Sequence, residues 1–121
     1  MITDVNKKPY DLEERTFQFA KSVTFFIKEI PSNISNLEYS KQLVRSSGSV
    51  GANYIEANES LSKKDFLMRV KISRKEAKES SFWLRLIIET NDEIIAKNGL
   101  KIFKESEELK KILSSILVKS E

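Results

Sequence analysis

The chain of 121 residues has no cysteine and no histidine, and it contains only three glycines and two prolines. Without cysteine, a disulfide framework, a thiolate metal site and a thiol nucleophile are all excluded. Without histidine, the commonest general base and transition-metal ligand are missing. We therefore predict a non-enzyme with no catalytic residue, no metal and no cofactor. The scarcity of glycine and proline argues against a turn-rich β-fold and favours long helices.

Long apolar runs are also absent. No run exceeds three residues, and the N-terminal segment MITDVNKKPY has no apolar centre. A membrane span needs about 20 apolar residues, and a signal peptide needs an apolar core. We therefore expect no membrane association and a cytoplasmic location, which the lack of cysteine also favours. We expect one domain over residues 1–121, with residues 1–10 as a flexible N-terminal arm.

Apolar residues recur at helical spacing in four segments. In the first segment, Asp11 is the predicted N-cap, and Pro31 ends the helix near Ile30. Its apolar stripe consists of Leu12, Phe19, Val23, Phe26 and Ile30.

The second segment has an apolar face of unusually small residues. This face consists of Leu37, Val44, Gly48, Gly51 and Ile55. Glycine inside a helix costs about 1 kcal/mol relative to alanine, so we predict that a close helix–helix contact offsets this cost. Glycine and serine also favour a loop over the stretch SSGSVG. Of these alternatives we prefer a continuous helix.

The third segment carries the excess positive charge of the chain. It fits a helix from the N-cap Ser62 to about Thr90, and residues 62–90 contain eight basic and four acidic side chains. Five cations share an arc about 100° wide with no acidic residue among them. They are Lys71, Arg74, Lys75, Lys78 and Arg85. This arc is either a solvated helix face that shields apolar neighbours or a binding surface for RNA or DNA.

The same helix has more apolar surface than one core needs. The arc predicted to face the core contains Phe66, Val70, Ala77, Leu84 and Ile88, with Ser73 and Ser80 at its border. A second apolar band consists of Met68, Ile72, Phe82, Trp83 and Leu86. Packing against helix 2 or helix 4 explains part of this band. One small bundle is not expected to bury the whole band. We therefore predict that this second apolar band forms a subunit interface.

The fourth segment completes the fold prediction. Asn91 is its predicted cap, and the helix starts either near Glu93 or, if Gly99 lies in a loop, at Leu100. We prefer the earlier start. Four amphipathic helices with short connections predict an all-α, antiparallel up-down-up-down four-helix bundle.

A line of polar residues follows helix 2. Arg45, Ser49, Asn53 and Glu56 are spaced by four, four and three residues, which places them on one side. A hydrolase would use Glu56 as base and Arg45 as anion clamp, or carboxylates such as Glu56 and Glu79 around a divalent cation. No nucleophile, metal-ligand set or phosphate loop accompanies them. We therefore predict a structural polar network.

Several segments resemble a known family. KQLVRSSGSVGANYIEANESLSKKDF and RKEAKESSFWLRLI are similar to the bacterial 23S rRNA intervening-sequence protein family. YDLEERTFQFAKSV and EELKKILSSIL extend the resemblance over nearly the whole chain. The matching positions are Gln42, Arg45, Ser46, Ser49, Ala52, Asn53 and Glu56 on helix 2, and Lys75, Glu76, Ala77, Glu79, Trp83, Leu84 and Arg85 on helix 3.

The resemblance implies a ring-shaped homopentamer of antiparallel bundles, with no known catalytic activity or cofactor. A related branch comprises accessory proteins of diversity-generating retroelements, which bind nucleic acid and a reverse transcriptase. By that analogy we expect an accessory protein that binds nucleic acid, with a protein partner such as a reverse transcriptase. The alternative is a protein–protein scaffold that does not bind nucleic acid.

Overall fold

A computed structural model describes residues 9–120 as four consecutive helices. Helix α1 spans Pro9–Ile27, α2 spans Ile34–Asn58, α3 spans Lys63–Thr90 and α4 spans Glu93–Lys119. No strand occurs in this part of the chain, which confirms the all-α prediction. The stretch SSGSVG lies inside α2, so the continuous helix is correct. The earlier start of α4 is correct as well.

Side chains cap the first turns of α2, α3 and α4. The caps are Asn33, Ser62 and Asp92, and each accepts a hydrogen bond from the amide three residues later, at 2.8, 3.1 and 3.0 Å. Ser62 is the cap that the sequence predicts. The prediction of Asn91 for α4 is wrong by one residue, because Asn91 ends α3 and donates its side-chain amide to the Ile87 carbonyl.

Helix α1 differs from the prediction at both ends. Pro9 and Tyr10 are already helical, so Asp11 lies in the first turn and is not the N-cap; the other residues of the expected flexible arm, 1–8, lie outside the described part. The helix ends at Ile27 rather than near Ile30, because the next amides bond three residues back in tighter turns. A residue that precedes proline avoids the helical conformation, which accounts for the early end before Pro31.

Hydrogen bonds between helices show that neighbouring helices are antiparallel. Ser46 in the middle of α2 contacts Ser80 of α3 at 2.8 Å, whereas Asn53 further along α2 accepts from Arg69 at 3.0 Å, earlier in α3. The same opposite order holds between α3 and α4, in the pairs Ser81–Ser106 and Arg74–Ser114. It also holds between α1 and α4, where Arg15 pairs with Glu105 and Glu29, just after α1, pairs with Asn98. The up-down-up-down bundle is therefore confirmed.

The core combines apolar residues from all four helices with buried serines. Phe19, Val23 and Leu84 of the predicted stripes are among the most buried residues, together with Leu109 and Leu113 of α4. The described helices include none that is long and apolar enough to cross a membrane.

Serines line the contacts of α3 with its two neighbours. Ser73 and Ser80 lie at the centre of the α2–α3 contact and not at the border of the core. Ser73 donates to the Val50 carbonyl at 2.7 Å, and Ser81 shares a hydrogen bond of 2.6 Å with Ser106. Small side chains let the helices approach closely, and these bonds satisfy their hydroxyls.

The buried face of α2 is not the one predicted. Leu37, Val44 and Ile55 are 53%, 41% and 45% exposed, and Gly48 is exposed too. Of the predicted face only Gly51 is buried, and a Cβ there would lie 2.8 Å from Thr16 Oγ1 of α1. The interior face consists of Asn36, Leu43, Ser46, Ser47, Val50, Gly51, Tyr54 and Ala57.

Candidate nucleic-acid interface

Three of the five predicted nucleic-acid-binding cations form an open surface on α3. Lys71, Lys75 and Lys78 are exposed, and none forms an ion pair with any residue between 9 and 120. A helix rises about 1.5 Å per residue, so the three positions span about 10 Å along one face. We call Lys71, Lys75 and Lys78 the lysine surface.

The two arginines of the predicted stripe have partners inside the protein. Arg74 is partly buried and donates Nη1 to Ser114 Oγ of α4 at 3.3 Å. Arg85 donates Nε to Glu89 Oε2 at 3.0 Å. Glu89 projects from the same arc, so the expectation of an arc without acidic residues is wrong. The structure therefore places the freely available cations at the three lysines.

An ionised carboxylate lies next to the α3–α4 contact. Glu107 forms an ion pair with Lys110 at 3.2 Å. Burial alone would raise the pKa of Glu107, but the nearby Ser81 hydroxyl, the hydrogen bond from Lys110 and the lysine charges outweigh it and lower the pKa. The carboxylate is therefore charged at neutral pH, and Lys110 compensates that charge.

The polar line on α2 is not one network. Arg45 reaches across to α3, where Nη2 donates to Glu76 Oε1 at 3.1 Å and also contacts Glu79. The hydrogen bond to Glu76 is the main reason that the pKa of Arg45 is raised. Ser49 bonds instead to the Arg45 carbonyl, and Asn53 donates to the Ser49 carbonyl, both at 2.9 Å.

Other side chains complete the polar contacts between α2 and α3. Asn53 Oδ1 accepts from Arg69, a residue outside the predicted set. Glu56 is exposed and its carboxylate has no hydrogen bond to the described residues. Glu79 is engaged by Arg45 rather than by other carboxylates. No group of three or more acidic side chains able to hold a metal occurs between residues 9 and 120.

The predicted apolar band on α3 divides into buried and open parts. Trp83 packs against the core and lies 6.1 Å from the Tyr39 ring of α2, measured between centroids. Its indole Nε1 is buried without a hydrogen-bond partner in the described part of the chain. Ile72 and Leu86 are partly buried, whereas Met68 and Phe82 are about half exposed. Packing inside the chain therefore accounts for part of the band.

The largest difference from the sequence-based prediction is a row of positions on α2 that is expected to face the core but faces outward. We call Leu37, Val44, Gly48 and Ile55 the α2 outer face. They recur every seven, four and seven residues, so they form one row along the helix. Nothing lies within 4 Å of where a Gly48 Cβ would stand, so no contact within the described chain explains this glycine.

The comparisons with known proteins agree with this architecture. The family model for the 23S rRNA-intervening sequence protein matches residues 8–115. The chain belongs to this family. A solved structure of a protein of unknown function from the S23 ribosomal protein family of Bacteroides thetaiotaomicron is 32% identical, with a TM-score of 0.75, and the match covers 87% of this chain and 96% of that one. No curated protein matches the chain.

Membership of the 23S rRNA-intervening sequence protein family confirms the resemblance seen in the sequence. The four-helix fold of this family member is shown independently by its helix contacts. The relative is described as a protein of unknown function. The ring-shaped pentamer, the link to retroelement accessory proteins and the binding of nucleic acid stay predictions.

Proposed function

We propose that this protein is a non-catalytic homo-oligomeric accessory protein that binds RNA or DNA through the lysine surface of α3. The observation that carries the proposal is the row of three exposed lysines without an acidic partner in the described chain. Two other exposed cations, Arg85 of α3 and Lys111 of α4, lie within 4 Å of a glutamate one turn away. Lys97, Lys101 and Lys104 form a second exposed row on α4 that makes no ion pair with residues 9–120, so this row is the natural comparison for the lysine surface. Unpaired ammonium groups in a row are suited to bind successive phosphates.

The affinity for nucleic acid depends on how many lysine surfaces one assembly presents to the same strand. The net charge of the chain is only +3, and three lysines give one subunit a weak, sequence-independent affinity. Binding to phosphates releases counterions, and this drives association at low salt. Several lysine surfaces on one assembly add to the affinity if one strand reaches them together. Oligomerisation is therefore part of the proposed function.

The α2 outer face supports a second copy of the chain as the neighbour. A glycine in a helix interior costs about 1 kcal/mol relative to alanine, and Gly48 has no contact within the chain that offsets this cost. Val44 and Ile55 on either side of it are half exposed. A close approach of another subunit would bury these residues, and a pentameric ring is the form that the family resemblance implies. From α3, Met68 and Leu86 remain candidates for the opposing surface.

The binding proposal is tested with two charge-reversal variants of equal charge. Lys75→Glu/Lys78→Glu alters the lysine surface, and Lys101→Glu/Lys104→Glu alters exposed lysines of α4. Both variants change the net charge from +3 to −1. Retention of a labelled ribosomal RNA fragment at about 50 mM salt is measured for each.

Loss of retention in the α3 variant alone, with the mass of the assembly unchanged, is the expected result. Equal losses in both variants would show that only net charge matters and that the lysine surface has no special role. If the unaltered protein does not retain RNA or DNA, the nucleic-acid proposal is refuted, and the protein–protein scaffold is the better account.

The oligomer is tested separately by light scattering. A pentamer of the 14.0 kDa chain has a mass of about 70 kDa. Val44→Glu leaves the isolated subunit folded because the side chain is 41% exposed there, but it places a charge inside the proposed contact. Leu61→Glu is the control, because Leu61 lies in the α2–α3 connection and is fully exposed. If light scattering gives a mass of about 14 kDa for the unaltered protein at micromolar concentrations, assembly is refuted.

A further inference from the structure

Phe82 lies among the cations of α3 rather than in the core. It is 55% exposed and follows Lys78 by four residues and Lys75 by seven, so the three share one face of the helix. The axial separations are about 6 Å from Lys78 and about 10 Å from Lys75. An aromatic ring therefore continues the row that the lysine surface begins.

Packing beneath the ring holds it in place. Phe82 contacts the Trp83 ring edge-on, with centroids 5.0 Å apart and an interplanar angle of 79°. Trp83 is anchored on the core and on Tyr39. Beside the ring is a shallow depression of about 200 Å³, lined by Phe82, Arg85, Leu86 and Glu89. A ring fixed in this way loses little conformational freedom when a flat ligand stacks on it.

A second phenylalanine of equal exposure provides a comparison. Phe25 of α1 is 54% exposed, but Lys28 Nζ stands over its ring at 5.3 Å from the centroid. No cation of the described chain covers Phe82 in this way. The face of Phe82 is therefore open to an external ligand, while the face of Phe25 is already occupied.

We propose that the nucleic acid is single-stranded and that one of its bases stacks on Phe82 while its phosphates contact Lys75 and Lys78. This inference rests on the proposed function and specifies its ligand class. Nucleic-acid proteins without sequence preference combine a cationic track with exposed aromatic rings, because every base has a face that stacks. In a duplex the base faces are covered by neighbouring bases, so only the phosphates remain accessible to this surface. A polyanion with aromatic bases matches both the cations and the ring.

The test compares three RNA probes of equal length. They are a single strand, the duplex that it forms with its complement, and an abasic strand that keeps the phosphates but lacks the bases. Stacking of one base contributes a factor of about 5 to 150 in affinity. The unaltered protein is therefore expected to bind the single strand more tightly than the abasic strand by a factor in that range.

Substitutions at Phe82 test whether its ring causes the difference in affinity between the single strand and the abasic strand. Phe82→Leu keeps an apolar side chain but removes the ring, and should reduce the affinity for the single strand to that for the abasic strand. Phe82→Tyr keeps the ring and should preserve the difference. Phe25→Leu is the matched control and should change nothing. Trp83 is the only tryptophan, so quenching of its fluorescence by the single strand, and not by the abasic strand, reports a base next to Phe82.

The outcomes separate this inference from the proposed function. Equal binding of base-bearing and abasic strands, with loss in Lys75→Glu/Lys78→Glu, would overturn stacking while the electrostatic function stands. No binding of any probe would overturn both. If Phe82→Leu changes the mass of the assembly in light scattering, Phe82 belongs to a subunit contact and the stacking proposal is wrong.

Discussion

A reciprocal pair of asparagines joins the first turn of α2 to the α3–α4 connection at one end of the bundle. Asn36 Nδ2 donates to Asn91 Oδ1 at 2.9 Å, and Asn91 Nδ2 donates back to Asn36 Oδ1 at 3.0 Å. Asn36 also donates to the Pro31 carbonyl at 2.9 Å, and its side chain is buried. Asn36→Leu keeps a similar volume and removes all three hydrogen bonds. Each contributes about 0.5–1.5 kcal/mol net, so the variant should lose about 2–4 kcal/mol of unfolding free energy.

The assay is urea unfolding followed by circular dichroism at a fixed protein concentration, because assembly affects apparent stability. Asn36→Leu leaves the amide of Asn91 without its partner, whereas Asn36→Leu/Asn91→Leu removes both polar groups. The double variant should therefore lose less than the sum of the single variants, by about 1 kcal/mol or more. Ser35→Ala, at an exposed neighbour, is the control. A loss below about 0.5 kcal/mol for Asn36→Leu, or strict additivity, would refute the reasoning.

Three further predictions concern stability. Gly51→Ala should destabilise the fold by about 1–2 kcal/mol, because the clash with Thr16 exceeds the gain of about 1 kcal/mol in helix propensity, and Thr16→Ala should restore part of the loss in urea unfolding. Burial raises the pKa of Tyr54, so its contribution to stability is complete below about pH 10 and is lost as the pH rises through the folded-state pKa. The unfolding free energy of Tyr54→Phe should therefore decrease less over that pH range than that of the unaltered protein. Equal decreases in the two proteins would contradict this. The half-exposed Arg15–Glu105 pair should contribute less than about 1 kcal/mol, so a larger loss in Glu105→Gln would be unexpected.

Helical periodicity in the sequence predicts the buried faces of α1, α3 and α4 well, but it predicts the wrong buried face for α2. In α1 the apolar stripe from Leu12 to Phe26 is the buried one. In α2 the buried positions include Ser46, Ser47 and Asn36, whose hydroxyls and amide are satisfied only by bonds to the folded chain. The same buried face also carries Leu43, Val50, Tyr54 and Ala57. Two rows with apolar residues therefore follow α2, and periodicity alone does not decide which of them faces the core.

Part of the candidate site can be predicted from the sequence, because helix periodicity alone places the cations on one face of α3. The partners that these cations find on other helices cannot be predicted in the same way. Arg74 is engaged by Ser114, forty residues away, and Arg45 by Glu76, thirty-one residues away, and both contacts depend on the register between packed helices. The pairing of Arg85 with Glu89 is local, and the i,i+4 spacing predicts it. The open face of Phe82 likewise depends on how Trp83 packs against Tyr39.

The salt dependence of RNA binding tests the central claim most directly. If the lysine surface neutralises three phosphates of a single strand per subunit, the logarithm of the association constant should fall against the logarithm of salt concentration with a slope of about −2. Each further subunit that contacts the strand should steepen this slope. Lys75→Glu/Lys78→Glu should remove about 1.4 of the slope per contacting subunit, while Lys101→Glu/Lys104→Glu should leave most of it. A slope that is the same for the unaltered protein and for Lys75→Glu/Lys78→Glu would contradict the account.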